Sequence, residues 1–194
     1  MGRTGIEPTR RRALIAAAIE AIHACGMSQV TVGDIARRAG VSPALAHHYF
    51  GGKNDLLLAT MRHLLSELSE EIQRRLEAAT TPQERLSATI RGNFAGQFRP
   101  AVISAWLAFY VQAQTDAEAR RLLRVYTRRL RSNLLHPLCE ITSRERAEAI
   151  AETAAALIDG LWIRCSLATD APDPDAAASV VERAVSDALR RADA

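Results

Sequence analysis

Apolar residues return every three or four positions along most of this chain, and nowhere do they alternate in the sustained way of a strand. Ile15, Ala18, Ile19 and Ile22 make one stripe. Ile150, Ala154, Leu157, Ile158, Leu161 and Cys165 make a second, and Val180, Val181, Ala184, Val185 and Ala188 a third. Helix-start signals punctuate the pattern. Thr31-x-x-Asp34 resembles a capping box, and Thr81-Pro82-Gln83-Glu84 is a full one with proline at the first helical position; Thr115-x-x-Glu118 and Thr142-x-x-Glu145 repeat the arrangement. Ser42-Pro43 and Asp173-Pro174 pair a capping side chain with a proline. The pattern predicts an all-α fold with helices near 9–25, 32–39, 43–50, 53–79, 82–96, 101–113, 116–138, 143–168 and 174–191. Pro137 is expected to kink or end the seventh. Three short helices form a head, residues 8–53. The fourth carries the chain into a body, residues 54–194, so no flexible linker is expected between them.

Residues 31 to 50 of the head hold the densest local information. Ile35, Ala36 and Ala39 give the second helix an apolar face, and Gly40 follows where a tight turn needs positive φ. Val41 is placed to plug the angle between helices, Ser42 to cap the third helix and Pro43 to start it; Ala46, Tyr49 and Phe50 are expected to face inward. This is the sequence form of a helix-turn-helix, although a purely structural helical hairpin shares its period. In such a motif the third helix enters the major groove of double-stranded DNA, and its early residues meet base edges. Pro43, Ala44 and Leu45 offer apolar contact, for instance to a thymine methyl, while His47 and His48 offer hydrogen bonds. Thr31 and Ser42, at helix N-termini, suit phosphate oxygens. Lys53, and Arg10, Arg11 and Arg12 on the first helix, add positive charge that positions DNA without reading it.

Charge supports that partner. Up to residue 53 the balance is +4, against +3 for the whole chain, so the remainder carries −1. A basic head on a near-neutral body fits nucleic acid, the alternative being chance clustering on a solvated face. No apolar run approaches the roughly 18 to 20 residues of a membrane span. Met1 to Thr9 lacks an apolar signal-peptide core, so a cytoplasmic location is expected. Cys25, Cys139 and Cys165 form no Cys-x-x-Cys pair and are expected as reduced thiols buried as small hydrophobes, with metal binding the alternative. The five histidines sit in no metal or nucleophile signature, and no glycine-rich phosphate loop is present, so no metal, cofactor or enzymatic activity is expected.

The run Ile35-Ala36-Arg37-Arg38-Ala39-Gly40-Val41-Ser42, followed by His48-Tyr49-Phe50-x-x-Lys53-x-x-Leu56-Leu57, resembles the amino-terminal domain of the TetR family of bacterial repressors. Further stretches are similar to its choline-responsive subgroup, which governs glycine-betaine synthesis genes: Arg10 to Arg12, Glu20-Ala21-Ile22, Gly26-Met27, Ala59-Thr60-Met61-Arg62, Ala105 to Phe109, Arg128-Arg129-Leu130-x-Ser132-Asn133-Leu134, and Ala156 to Trp162. The resemblance implies a repressor with an N-terminal three-helix DNA-binding domain and a C-terminal ligand-binding and dimerisation domain. His47 stands where the family commonly has tyrosine, and Pro43 and Ala44 also depart from it, which leaves the operator sequence open. His136 and Pro137 are unusual for their helix.

A single helix-turn-helix makes too little contact to be selective; two, about one DNA turn apart on a palindromic operator, solve this. The last two helices, with many alanines, are the natural homodimer surface, and the resemblance implies a four-helix bundle made from two copies of the pair. The alternative is that their stripes complete the monomer core. Seven of the nine aromatics lie in the body, and Trp106, Phe109 and Tyr110 share one helix face. With Phe94 and Trp162 they suit either plain core or an aromatic cage for choline or a related quaternary ammonium, with Asp159 balancing its charge. Arg164 or Arg128 is the alternative partner for that acid. The arginines at 120, 121, 124, 128, 129 and 131 are expected as a solvated face. Three rival functions remain: an enzyme, a ligand-independent architectural DNA binder, and a repressor of the same family answering a lipophilic drug or fatty acyl compound.

Overall fold

A computed structural model describes residues 6–168 and 170–190. Among them are nine α-helices and no strand: α1 (Ile6–Gln29), α2 (Val32–Arg38), α3 (Pro43–Phe50), α4 (Lys53–Ala78), α5 (Pro82–Gly92), α6 (Pro100–Gln112), α7 (Ala117–Ile141), α8 (Arg144–Ser166) and α9 (Pro174–Arg190). They divide into two compact units. One holds the chain up to Leu65 together with Pro100–Arg121; the other holds Ser66–Arg99 and the chain from Leu122 onward.

In the first unit α1 packs on α2 and on α6, and α2 on α3. The expected stripe is inside: Ile15, Ala18, Ile19 and Ile22 are buried, with Ile35, Ala36, Ala46, Phe50, Leu56, Leu57 and Met61. α6 adds Val102, Ile103, Ala105, Trp106 and Phe109 to this list. Helical geometry in α1 breaks at Gly26, φ 74°, next to the expected end at 25. α4 and α7 each contribute to both units.

In the second unit α9 packs on α5 and α8. Its core holds Ile72, Leu86, Ile90, Phe94, Leu130, Leu134, Leu138, Ile150, Ala154, Ile158, Val181 and Val185. An ion pair ties α5 to α9: Arg91 Nε and Nη2 donate to the two oxygens of Glu182 at 2.9 and 2.7 Å, and Ser87 Oγ donates to Oε1 at 2.6 Å. A bidentate guanidinium–carboxylate pair of this kind fixes orientation as well as distance. The second apolar stripe divides. Ile150, Ala154 and Ile158 are buried in the chain's own core, whereas Leu157, Leu161 and Cys165 are half-buried.

Several ends differ from expectation. α5 stops at Gly92 rather than 96, because the Asn93 amide turns back to donate to Thr89 O at 2.8 Å and the chain then bends through Gly96, φ 69°. α7 is capped by Asp116, whose Oδ1 accepts from Ala119 N at 2.8 Å, and not by Thr115. Glu118 is drawn instead to Arg62 and Arg121. α8 takes Ser143 rather than Thr142 as its cap residue, with no side-chain cap bond. Pro137 does not end α7, which continues to Ile141; its ring is buried, and that packing offsets the one backbone hydrogen bond it forgoes. The cysteines are not buried hydrophobes: Cys25 and Cys139 are exposed and Cys165 is half-buried, since each lies off the buried stripe of its helix or at its edge. Asp173 does cap α9, accepting from Asp175 N and Ala176 N.

Close approach of α4 and α5 depends on Gly92. A Cβ there would lie 2.7 Å from Ile72 Cγ1 and 3.3 Å from Ile72 Cα. Gly92→Ala is therefore expected to lower stability by about 1–3 kcal/mol through overpacking, which urea unfolding followed by circular dichroism measures.

Candidate DNA interface and effector residues

The helix-turn-helix is held by local chemistry. Thr31 and Asp34 form a reciprocal capping box: Thr31 Oγ1 accepts from Asp34 N at 3.1 Å and donates to Asp34 Oδ2 at 2.6 Å. That hydroxyl bond, with help from the Arg37 guanidinium, holds the Asp34 carboxyl below the usual carboxylate range. At the other end of α2, Gly40 adopts φ 68°. Gly40 N donates to Arg37 O and Val41 N to Ala36 O, the double closure of a Schellman motif. Val41 is half-buried between the two helices. Ser42 Oγ accepts from Leu45 N at 3.2 Å and Pro43 opens α3. Ala46 and Phe50 face inward as expected; Tyr49 does so only in part, being half-buried with its ring edge-on to Phe50.

The outward face of α3 carries the residues expected to read DNA. Pro43, Ala44, His47 and His48 are exposed and Leu45 is half-buried. His47 Nδ1 lies 2.5 Å from Gly51 O, so the carbonyl fixes that nitrogen as the protonated one and turns Nε2 outward as an acceptor in the neutral ring. Ser42 keeps its hydroxyl proton for donation, because its cap bond uses only an oxygen lone pair. Thr31 is less available, its proton being committed to Asp34.

The cations divide into two kinds. Arg10 and Arg12 are exposed. Arg11 is exposed too, but its guanidinium lies 4.8 Å over the Phe50 ring and braces α1 against α3. Lys53 Nζ donates to Ser28 O at 3.1 Å. This bond closes the base of the motif, joining the end of α1 to the start of α4 with α2 and α3 between them. The sequence reading missed this clasp, since no local spacing links positions 25 apart.

The residues expected to hold an effector fall in separate units. Trp106, Phe109 and Tyr110 belong to the first, with Trp106 edge-on to Phe109 at 6.1 Å and tilted against Tyr110 at 5.9 Å. Phe94, Asp159 and Trp162 belong to the second. There Phe94 meets Phe98 at 5.0 Å and Phe98 meets Trp162 at 5.1 Å, both edge-to-face. Half-buried Asp159, one turn before Trp162, accepts a hydrogen bond from Tyr126 Oη at 3.2 Å. Phe98 and Tyr126 are among the seven body aromatics of the sequence but carry no ligand role there; the four-residue step from Phe94 to Phe98 is the available signal for the first. All six arginines of α7 singled out in the sequence are exposed. Among the described residues no group of three or more His, Cys, Asp or Glu is arranged to hold a metal ion, and no helix is long and apolar enough to cross a membrane.

Comparison with known proteins adds the family. A model of bacterial regulatory proteins of the tetR family matches residues 14–60, and one described as BetI-type transcriptional repressor, C-terminal, matches residues 82–190. The HTH-type transcriptional regulator BetI of Brucella anthropi is 56% identical over 183 residues, covering 94% of each chain. That of Rhizobium meliloti is 51% identical over 191 residues, covering 98% of this chain and 94% of its own. Among solved structures, a transcriptional regulator from Pseudomonas aeruginosa PAO1 superposes with a TM-score of 0.78 at 24% identity, covering 95% of this chain and 94% of its own. A regulator from Saccharomonospora viridis, solved in complex with choline, gives 0.77 at 22%, covering 91% and 95%. At such identities these two establish the fold alone. The chain belongs to the TetR family of transcriptional repressors, with a C-terminal region of the BetI type.

Proposed function

We propose that two copies of this chain bind a palindromic double-stranded DNA operator in the cytoplasm, and that choline or a related quaternary ammonium releases them. Residues 8–53 serve as the DNA-binding domain and 54–194 as the ligand-binding and dimerisation domain. The observation that carries the DNA half is the outward face of α3. It presents Pro43, Ala44, His47 and His48 on a helix pinned at both ends, by Ser42 and by the Gly51 turn. His47 and His48 read bases, Ser42 and Lys53 meet phosphates, and Arg10 and Arg12 extend the contact along the backbone. Arg11, Thr31 and Tyr49 act mainly by holding the motif.

The effector half is supported by the second unit, where an acid and an indole lie one turn apart on α8 beside two phenylalanine rings and a tyrosine hydroxyl. Aromatic faces and a carboxylate are what a cationic nitrogen without N–H donors requires. The choline-bound S. viridis regulator and the BetI name of the relatives point the same way. Trp106, Phe109 and Tyr110 form a separate candidate aromatic set within the first unit. Release runs along α4, a continuous helix that begins at the Lys53 clasp.

Fluorescence anisotropy with a labelled duplex from upstream of the gene tests the reading. Choline is expected to dissociate the complex. His48→Ala is expected to cost about 1–3 kcal/mol on the specific duplex and little on random DNA. Replacing Arg10 and Arg12 with alanine flattens the slope of log affinity against log salt by about 2 per chain, roughly 0.9 for each lost phosphate contact. A complex indifferent to choline removes the effector reading and leaves the operator reading standing.

A further inference from the structure

On the outward face of α3 the fold decides in which direction His47 can hydrogen-bond. Gly51 ends the helix with φ 72° and ψ −90°, a conformation open to glycine and strained for other residues. That turn brings Gly51 O to 2.5 Å from His47 Nδ1. A carbonyl only accepts, so Nδ1 carries the proton, and in the neutral ring Nε2 keeps a lone pair with no proton to give. No other hydrogen bond or ion pair engages this exposed ring among the described residues. The charged side chains at the turn are committed elsewhere: Asp55 Oδ2 accepts from Gly52 N at 3.1 Å, and Lys53 donates to Ser28 O. His48 differs. Its ring is tilted against Tyr49 at 5.7 Å and has no hydrogen-bond partner among the described residues, so either nitrogen can carry its proton. Pro43 and Ala44 lie one turn before His47 on the same face and are likewise exposed, but their side chains offer no hydrogen bond.

We infer that His47 reads an exocyclic amine in the major groove, adenine N6 or cytosine N4, by accepting from it at Nε2. The inference rests on α3 being the helix that enters the groove. These two amines are the donors that base edges present there; guanine N7 and O6, adenine N7 and thymine O4 are all acceptors. Phosphate oxygens accept too. The neutral ring, held by the Gly51 carbonyl, is therefore mismatched to guanine, to thymine and to the DNA backbone alike. Pro43 and Ala44 add apolar contact wherever a thymine methyl lies beside the amine. His47 thus selects by the direction of one hydrogen bond, a selection that His48 does not share.

Two measurements test this. Long-range proton–nitrogen correlation spectra of the full chain with isotope-labelled histidine read the tautomer without DNA, the His47 signals being those lost in His47→Ala. The neutral ring is expected to carry its proton on Nδ1; a proton on Nε2 overturns the inference. The second measurement is anisotropy on the footprinted duplex, with purine replacing each adenine and 2-pyrimidinone each cytosine of one half-site, so that single amines are removed. At one position the unchanged chain is expected to lose about 3- to 10-fold in affinity, the equivalent of one hydrogen bond, and the His47→Ala chain nothing further. Comparing the two chains cancels the effect of the analogue on base pairing, and the analogue that registers tells adenine from cytosine. Replacing purines by their 7-deaza forms, which lack the N7 acceptor, is expected to show no dependence on His47. Dependence on a 7-deazapurine, no amine coupled to His47 anywhere in the half-site, or a His47→Ala salt slope flatter by about 0.9, as for a lost phosphate contact, each overturns the inference. A chain that binds no duplex removes the operator reading and this inference together, whereas a complex that forms without a coupled amine removes the inference alone.

Discussion

Replacing Ala156 and Gly160 together by glutamate is expected to yield a folded monomer that holds its operator about a thousandfold more weakly. One face of α8 is not used by the chain's own core. Ile150, Ala154, Ile158 and Trp162 point inward. On the opposite side Ala149, Thr153 and Ala156 are exposed and Gly160 is half-exposed, in steps of three and four residues. The line continues to Ile163, 44% exposed, and Leu167, 81% exposed. Small residues let two helix backbones approach closely, and the two apolar residues beyond them need cover. A two-fold interface is self-complementary, so each new glutamate enters it twice and faces like charge across the axis. The fold itself has little to lose. A Cβ at Gly160 meets no atom within 4 Å, and glutamate is a better helix former than glycine by roughly 0.5–1 kcal/mol. Sedimentation equilibrium reads the mass, circular dichroism the fold and anisotropy the operator affinity. A dimer that survives the double change places the interface elsewhere on the chain.

The same face shows where reading the sequence stops. Period and composition announce that α8 buries an apolar stripe, and Ile150, Ala154 and Ile158 are buried accordingly. They do not say against what. Half of that stripe fills the chain's own core, the alternative the sequence also offers, and on α8 the small-residue side stays exposed. The head was more legible because its determinants are local. The Thr31–Asp34 box, the positive φ at Gly40 and the Ser42 cap each involve residues within three positions of one another, so their chemistry is visible in the string of letters. Adjacent candidates blur such signals. Thr115 beside Asp116, and Thr142 beside Ser143, each offer two cap residues, and the structure takes the second in both cases. Links across the fold leave no local trace: Lys53 on Ser28, Arg11 on Phe50 and Tyr126 on Asp159 follow from packing that no period encodes.

At the proposed effector site, Asp159→Asn is expected to weaken choline binding by about 10- to 100-fold while leaving operator affinity in the absence of choline unchanged. The quaternary nitrogen of choline has no proton to donate, so its hold on a carboxylate is Coulombic, and the one donor choline carries is its hydroxyl. At 4 Å and an effective dielectric of about 20, that attraction is about 4 kcal/mol before desolvation takes its share. The remainder is comparable to the roughly 1.5–3 kcal/mol of a hydrogen bond to a charged group, or one to two decades in affinity. Asparagine keeps the shape of Asp159 and an oxygen to accept from Tyr126 Oη, so that bond survives while the charge is removed. Trp162→Leu is expected to have a smaller effect on binding, about 2- to 30-fold, since a ring face contributes about 0.5–2 kcal/mol. It also costs stability, because Trp162 is buried and meets Phe98 edge-on at 5.1 Å. The two changes therefore separate charge from ring. Choline titrations followed by tryptophan emission, which reports Trp106 and Trp162 in the unchanged chain and Trp106 alone in the leucine variant, give both constants. If the asparagine protein binds choline as tightly as the unchanged chain, Asp159 is no counter-ion, and its hydrogen bond to Tyr126 is a structural link between α7 and α8.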